Sequence, residues 1–297
     1  MGVRRAVEIA WRESSANAAA FAGAQATGQG RQVYTLGPLI HNPGVLKNLE
    51  ERGIKILAGG EFPPSPENST VIIRAHGVSP DIEASLVRQG VRILDATCPH
   101  VKLSQTKARS YAEKGYRIFL AGEENHGEIS GIRGYVDAVL ATNPDSAFPF
   151  CYVVGTPEEA EKAAEELLSL EPEAKTVLIA QTTISTGEYR AIGERLRQFF
   201  PKLEMLDTIC DATARRQEAL RELCARVDAL IIAGGRDSAN TRRLLSLAVE
   251  LGKPAWLVQS PEDIPPEIAA YKTIGLSAGA STPDSLIVEI EEALRAL

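Results

Sequence analysis

Cysteine and long apolar runs are scarce in this sequence, and each shortage excludes a class of protein. Four cysteines among 297 residues, none of them in a Cys-x-x-Cys pair, are too few for a disulfide scaffold or a zinc ribbon. No apolar stretch approaches the roughly 20 residues that cross a bilayer, and the charged N-terminal stretch lacks the apolar core of a secretory signal. We therefore expect a cytoplasmic protein that does not enter a membrane.

An excess of positive charge is missing as well. The chain contains 32 Lys and Arg residues and 39 Asp and Glu residues. The resulting net charge of −7 argues against a nucleic-acid partner. Hydrophobic residues make up 44% and charged residues 24%, as in ordinary globular proteins. The chain therefore has enough apolar material for a real core, and its length favours more than one domain.

Apolar runs with the pattern of buried strands alternate with amphipathic helical patterns along the chain. The strand pattern occurs eight times between residues 32 and 276, with helical patterns lying between these runs. Such alternation needs crossover connections, which are typical of parallel sheets. Residues 16–30 are rich in Ala and Gly and are interpreted as a helix end followed by a loop. The fold class is therefore α/β.

The chain also repeats itself. A shift of 112 residues places Cys98 on Cys210, each with an Asp three residues earlier, and His126 on Ser238. Each repeat has the order cysteine, helix, strand and polar loop. Residues 1–97 contain the later part of the pattern twice, and their first helix matches the helix that follows each cysteine. Repeats of this length exceed solenoid repeats and indicate related small α/β domains.

We predict three such domains, at residues 1–96, 97–209 and 210–297, with mainly parallel sheets. Ligands collect at the carboxyl ends of parallel strands. If the domains are related by a pseudo-threefold axis, the polar residues that follow the strands converge on one central cavity. These residues are His41, His76, His126, Thr182, Ser238, Asn240 and Ser281.

The cysteines divide into two pairs by their local pattern. Cys98 and Cys210 begin helices, and a helix N-terminus favours the thiolate form that binds metals. Cys224 lies on the apolar face of a helical pattern and is interpreted as a core thiol. Cys151 has no place in the repeat. From the residues alone, a cysteine in a reducing compartment is a buried thiol, a metal ligand or a nucleophile.

Nine short motifs, in order over almost the whole chain, resemble one family. Together they are similar to the 4-hydroxy-3-methylbut-2-enyl diphosphate reductases, the LytB/IspH family. The motifs are GVRRAV at residues 2–7, IHN at 40–42, RAHGV at 74–78, DATCP at 95–99, HGE at 126–128, QTT at 181–183, ICDAT at 209–213, SAN at 238–240 and SAGAS at 277–281.

This resemblance implies a three-lobed fold around a 4Fe–4S cluster with three cysteine ligands, two of them Cys98 and Cys210. It also implies an iron–sulfur oxidoreductase that removes the allylic hydroxyl of 4-hydroxy-3-methylbut-2-enyl diphosphate with two electrons. The products would be isopentenyl and dimethylallyl diphosphates, in the last step of the non-mevalonate isoprenoid pathway. The expected partners are this small substrate and an electron donor of ferredoxin or flavodoxin type.

The chemistry of the loops allows roles to be assigned within this resemblance. Glu128 is the expected proton donor, because a buried carboxylic acid can deliver a proton, and Thr182 would orient the hydroxyl or relay that proton. The diphosphate would be bound through hydrogen bonds and helix N-termini. Its expected ligands are His41, His76, His126, Ser238, Asn240 and Ser281, with Ala239 in the same motif, and Thr182 is expected to bind the substrate at its hydroxyl group. His100 is interpreted as a surface helix residue.

Two departures from the family pattern leave alternatives open. The family's first cysteine would lie before Met1, so the third ligand is missing from this chain. Either the recorded start is too late, or only Cys98 and Cys210 remain. Ala239 stands where the family has a second serine, which removes one hydrogen bond to phosphate. The alternative function is a diphosphate-binding relic without a cluster and without redox activity.

Overall fold

A computed structural model describes residues 2–23, 31–39, 43–58, 61–141 and 151–297. This part of the chain contains 11 strands and ten α-helices in mostly alternating order. The strands are β1 (Gln32–Leu36), β2 (Lys55–Leu57), β3 (Ser69–Ile73), β4 (Arg92–Asp95), β5 (Arg117–Ala121), β6 (Cys151–Val154), β7 (Thr176–Ala180), β8 (Glu204–Leu206), β9 (Ala229–Ala233), β10 (Ala255–Val258) and β11 (Ile274–Ala278).

The helices fill most of the connections between these strands. They are α1 (Gly2–Gly23), α2 (Pro43–Glu51), α3 (Pro80–Arg88), α4 (Pro99–Glu113), α5 (Gly127–Leu140), α6 (Pro157–Leu170), α7 (Thr186–Phe199), α8 (Asp211–Cys224), α9 (Ala239–Glu250) and α10 (Asp284–Arg295). Among the described residues, no helix is both long enough and apolar enough to cross a bilayer.

The strands form three separate parallel sheets. Their orders are β2-β1-β3-β4, β6-β5-β7-β8 and β10-β9-β11, and every strand pair is parallel. In each sheet the first strand in the chain pairs with both the second and the third. The expected α/β class with mainly parallel sheets is therefore confirmed, and the three sheets share the order of their first three strands.

The repeat found in the sequence is also present in the element boundaries. The shift of 112 residues carries β5 onto β9 residue for residue, and the start of α4 onto the start of α8. His126 and Ser238 are the N-cap residues of α5 and α9. The equivalence predicted from spacing therefore holds at the level of helix and strand ends.

The core of the second sheet explains why its strands are apolar throughout. Every residue of β5 and β7 is buried. Alternate side chains point to opposite faces of a strand. Phe119 and Ala121 pack with residues of α6 and α7 on one face, and Ile118 and Leu120 pack with residues of α4 and α5 on the other. The sheet is thus covered on both faces, which leaves its carboxyl edge for polar loops.

The elements that sequence analysis missed are short or rich in glycine. The strands β2, β6 and β8 have three or four residues each, too few for a clear pattern. Helix α5 contains Gly127, Gly131 and Gly134, which weaken its helical pattern, and α3 was missed as well. The helix end expected within residues 16–30 is confirmed, because α1 ends at Gly23, and the loop expected after it lies outside the described residues.

By its backbone contacts the chain separates into two compact units. The first unit comprises Met1–Gly37 and Gly53–Cys210 and holds the first two sheets. The second unit comprises Pro38–Arg52 and Asp211–Leu297 and holds the third sheet. The boundaries of three lobes at residues 96 and 209 stay a prediction, although each sheet lies within one of the predicted ranges.

Candidate active site

Two half-buried thiols of the first unit each lie directly before a helix. Cys98 is the N-cap residue of α4, and Cys210 directly precedes α8. The backbone N–H of Cys98 donates to the carbonyl of Ala75 at 2.9 Å, and that of Cys210 donates to the carbonyl of Thr182 at 3.0 Å. Each cysteine is therefore attached to a strand-end loop that carries one of the predicted site residues.

The start of α1 lies against Cys98. A Cβ atom added to Gly2 would collide with the Cβ of Cys98 and would lie 2.6 Å from its Sγ. Arg5 adds a second tie, since its Nη1 donates to the carbonyl of Thr97 at 3.1 Å. Only glycine allows the helix to approach this thiol so closely.

Two histidines stand beside each other at the ends of β3 and β5. The rings of His76 and His126 have centroids 5.0 Å apart and are nearly perpendicular, at 78°. The Nδ1 of His126 accepts a hydrogen bond from the backbone N–H of Glu128 at 3.2 Å, which caps α5. Because Nδ1 accepts, the proton of the neutral ring lies on Nε2.

Glu128 and Thr182 form a buried pair. Thr182 donates its backbone N–H to Oε1 of Glu128 at 2.7 Å and its hydroxyl to Oε2 at 2.8 Å. Glu128 is 1% exposed and Thr182 is 6% exposed. Glu128 lies in the first turn of α5, whereas the sequence analysis placed it in a loop. The helix fixes the carboxyl group with respect to the His126 ring and the end of β7.

Burial raises the pKa of Glu128 to about 7, because a carboxylate loses hydration there. The two hydrogen bonds from Thr182 act in the opposite direction, since they favour the charged form, but they do not outweigh burial. A carboxyl group with a pKa near neutrality can hold a proton and release it at physiological pH. The pair is thus suited to proton donation.

Gln181 is a residue of this site to which sequence reasoning gave no role. Its side chain is fully buried, accepts from the N–H of Glu123 at 2.9 Å, and donates to the hydroxyl of Thr183 at 2.8 Å. It therefore joins the loop that leads to Glu128 with the loop that contains Thr182. Its place in the QTT motif was the available signal.

The remaining predicted residues lie elsewhere in the chain. Ser238 caps α9 by accepting from the N–H of Thr241 at 3.4 Å, and Ala239 and Asn240 form the first turn of that helix. In the described part of the chain, neither polar side-chain atom of buried Asn240 has a hydrogen-bond partner. Ser281 follows β11 and is half-buried.

The structure therefore brings together one group of predicted residues within the first unit and a second group within the second unit. His41 lies outside the described residues. The buried methyl group of Ala239 offers no polar contact, so only its backbone can bind a ligand. The first-unit group is Cys98, Cys210, His76, His126, Glu128 and Thr182.

Comparison with known proteins decides the family. Residues 1–295 match the family model described as LytB protein. The chain belongs to the LytB family. It is similar to the 4-hydroxy-3-methylbut-2-enyl diphosphate reductase of Treponema pallidum, with 46% identity over 89% of this chain and 75% of that protein. The reductase of the same name from Treponema denticola is 40% identical, with coverages of 99% and 94%.

Two solved structures resemble the whole chain. The E-1-hydroxy-2-methyl-but-2-enyl-4-diphosphate reductase from Plasmodium falciparum has a TM-score of 0.82 and 26% identity, with all of this chain and 84% of that chain covered. A structure of (E)-4-hydroxy-3-methyl-but-2-enyl diphosphate reductase, described as the terminal enzyme of the non-mevalonate pathway, has a TM-score of 0.66 and 34% identity. The match covers all of this chain and 95% of the chain in that structure. Both are consistent with the family assignment.

The cofactor of this family is a 4Fe–4S cluster, and the donor set can be tested for fit. Cys98 and Cys210 provide soft thiolate ligands of the kind that iron–sulfur clusters use. Each of these cysteines lies at the N-terminus of a helix, Cys98 at α4 and Cys210 at α8. In the described ranges, no group of three or more His, Cys, Asp or Glu residues could hold a metal ion. By residue type alone, Cys98 and Cys210 are therefore two candidates for the ligand set.

Proposed function

We propose that this chain reduces 4-hydroxy-3-methylbut-2-enyl diphosphate to isopentenyl and dimethylallyl diphosphates. The observation that carries this proposal is the buried Glu128–Thr182 pair, which supplies a proton donor in a member of the LytB family. The names of the relatives at 40% and 46% identity support it.

The reaction needs two electrons and two protons from outside the substrate. The allylic C–O bond breaks, a C–H bond forms, and the hydroxyl leaves as water. The proposal therefore requires a group that protonates the departing oxygen. Glu128 fits this role because, with a pKa of about 7, it carries its proton in a large fraction of molecules at neutral pH.

Thr182 is proposed to orient the substrate hydroxyl towards Glu128. Its side chain already donates to one carboxyl oxygen, so it holds the carboxyl group in a single orientation. A hydroxyl can donate and accept at once, and Thr182 can therefore pass a proton from the carboxyl group to a bound oxygen. Burial of the pair excludes water that would compete for this proton.

A 4Fe–4S cluster, when bound, supplies the electrons and a Lewis-acidic iron for the hydroxyl oxygen. Cys98 and Cys210 would hold it through their thiolates. An electron donor of ferredoxin or flavodoxin type is proposed as the partner that reduces the enzyme again, since the reaction consumes two electrons in each cycle.

The diphosphate is proposed to bind through neutral hydrogen-bonding groups and histidines. His76 and His126 in the first unit fit this role, because each lies in a loop beside Glu128 or Cys98. In the second unit, the unsatisfied amide of Asn240 and the N-terminus of α9 offer donors that anions prefer. For the second unit by itself, the proposed residues also include Ser238, Ser281, the backbone of Ala239 and His41.

The alternative, a diphosphate-binding protein without redox activity, is not supported by the comparisons, because the relatives are named as reductases. We therefore keep the reductase as the single proposed function.

Replacement of Glu128 by Gln tests the proposal. Gln keeps the size and polarity of the side chain but cannot release a proton, so Glu128→Gln should bind substrate and lose turnover by ~10²–10⁴-fold. The measurement is reduction of the allylic diphosphate by the reconstituted full chain with an artificial electron donor.

The matched control is Glu124→Gln, which changes an exposed carboxylate only four residues away that pairs with Arg133. This variant should keep the wild-type rate. A Glu128→Gln enzyme as fast as this control would remove Glu128 from the mechanism.

A further inference from the structure

Arg74 is a charged residue that the assigned roles leave unused. It directly follows β3 and is partly buried. Its Nε is buried and has no hydrogen-bond partner, and no carboxylate pairs with its guanidinium anywhere in the described part of the chain. Burial lowers the pKa of Arg74, but a guanidinium stays protonated at neutral pH. A fixed positive charge is therefore held here without a counterion.

Two glycines make the space for this guanidinium. A Cβ atom on Gly127 would lie 2.6 Å from Nη2 of Arg74, and one on Gly37 would lie 3.3 Å from Nη1. Gly127 is the first residue of α5, and Gly37 follows β1. The guanidinium therefore lies between the end of one strand and the start of a helix, where any larger residue at position 127 would displace it.

The electrostatics of this position are unfavourable in the absence of an anion. A helix N-terminus carries partial positive charge, and the 14-residue helix α5 directs it towards the same place as the guanidinium. The acidic residue of that first turn is Glu128, and its two carboxyl oxygens accept hydrogen bonds from Thr182 instead of pairing with the guanidinium. Burying an unpaired charge is costly, so an anion that pairs with Arg74 would lower the free energy of this region.

The surrounding loops point to the anion. Arg74 lies two residues before His76 in a tight turn in which the N–H of Gly77 donates to the carbonyl of Arg74 at 2.9 Å. Its Nη2 lies beside Gly127, the residue after His126. Arg74 is thus next to both described histidines that are proposed to bind diphosphate. A planar guanidinium suits phosphate oxygens because it can donate two parallel hydrogen bonds.

We propose that Arg74 is a substrate-binding residue that supplies the fixed positive charge for the diphosphate group, in a slot opened by Gly127. The identity of the anion rests on the proposed function. Arg74 complements the neutral donors of the other loops, and its charge does not depend on histidine protonation.

Binding of inorganic diphosphate to the full chain tests this inference without requiring turnover. Isothermal titration calorimetry should give a Kd that is ~10–100-fold weaker for Arg74→Gln than for the wild type, the usual loss for a charge-assisted hydrogen bond. The control is Arg133→Gln, which removes the same charge from the exposed side of α5. It should change the Kd by less than about threefold.

A second variant keeps the charge of Arg74 and fills only the space that its guanidinium occupies. Gly127→Ala should also weaken diphosphate binding, because the added methyl group displaces the guanidinium. Arg74→Lys keeps the charge without the planar fork and should bind with intermediate affinity. Circular dichroism spectra and melting temperatures establish that each variant is folded before its affinity is compared.

Several results would overturn the inference. One is a Kd for Arg74→Gln equal to that of the Arg133→Gln control, and another is a wild type that does not bind diphosphate. A third is an Arg74→Gln chain with unchanged diphosphate affinity and reduced iron content, which would place the charge at the cluster.

These outcomes separate the inference from the proposed function. Turnover of the allylic diphosphate with an unchanged KM in Arg74→Gln would reject the role of Arg74 and leave the reductase intact. Loss of diphosphate binding in Arg74→Gln, in a chain whose wild type reduces nothing, would support the anion site and reject the reductase.

Discussion

Surroundings, not residue type, decide what a carboxyl group does in this molecule. Burial keeps the pKa of Glu128 near 7, while the exposed carboxylate of Glu204 accepts hydrogen bonds from Tyr116 at 2.6 Å and Tyr111 at 2.7 Å. These two phenols hold the pKa of Glu204 below its ordinary value. Glu128 can therefore exchange a proton at neutral pH, whereas Glu204 is a permanent anion there.

The raised pKa of Glu128 predicts a dependence of stability on pH. Between about pH 4.5 and about pH 7 the folded chain keeps a proton on Glu128 that the unfolded chain has released, so the free energy of unfolding falls as pH rises. We expect the wild type to lose about 2–3 kcal/mol more than Glu128→Gln between about pH 5 and about pH 8. Urea unfolding of both proteins measures this, and parallel pH profiles would contradict it.

Close packing at the level of elements depends on single helical glycines. In α5, a Cβ atom on Gly134 would collide with the Cβ of Ser79 and approach its Cα to 3.1 Å, at the start of α3. In α7, a Cβ atom on Gly193 would meet the end of the flexible Met205 side chain. Ser79 is the N-cap residue of α3, whereas the side chain of Met205 can rotate away.

These two glycines predict opposite effects of the same substitution. Gly134→Ala should destabilise the chain by about 1–3 kcal/mol, because helix and backbone must move apart. Gly193→Ala should be neutral or stabilising by up to about 1 kcal/mol, since alanine favours the helix and Met205 can adjust. Urea unfolding of the two variants tests the pair, and equal losses in both would show that the contact with Ser79 is unimportant.

A further element-level connection joins the cysteine loop to the proton-donor loop. The hydroxyl of Thr208 donates to the carbonyl of Ala180 and accepts from its N–H, both at 2.9 Å. Two residues later, Cys210 donates to the carbonyl of Thr182. A side chain and a backbone group thus connect the two chain segments beyond the last paired residues of β7 and β8, Ile179 and Leu206, and they hold Cys210 beside Thr182.

For the whole molecule, the ligands of the proposed cluster come from the ends of two sheets. Cys98 follows β4 of the first sheet, and Cys210 follows β8 of the second. A group that binds both thiolates in the folded chain and neither in the unfolded chain stabilises the fold.

Removal of the cluster should therefore lower the melting temperature. The chain reconstituted with iron and sulfide is expected to melt higher than the chain stripped with a chelator, and to show broad visible absorption that Cys98→Ser and Cys210→Ser reduce. Calorimetry and iron analysis provide the measurements.

Cys224→Ala is the matched control, since Cys224 is buried in the apolar core of the second unit. It should keep the iron content and the visible absorption, whatever it costs in stability. Iron content that survives in both serine variants would exclude these cysteines as ligands.

Much of the fold was predictable because its signals are local. The equivalence of His126 and Ser238 required only their spacing from a cysteine, and both proved to be helix caps. The buried position of Cys224 required only a helical period of apolar residues. Short edge strands such as β2 escaped detection, because three residues do not define a period.

The sequence by itself determined the α/β class, the repeat, the family motifs and the strand ends that carry the polar residues, because each follows from residue order along the chain. Only the tertiary structure decided that Glu128 is enclosed against Thr182, which lies 54 positions away, and that Gly127 makes room for Arg74. Burial and apposition depend on how separate strands and helices pack. The proton affinity of Glu128 and the unpaired charge of Arg74 therefore arise from packing, which no local pattern contains.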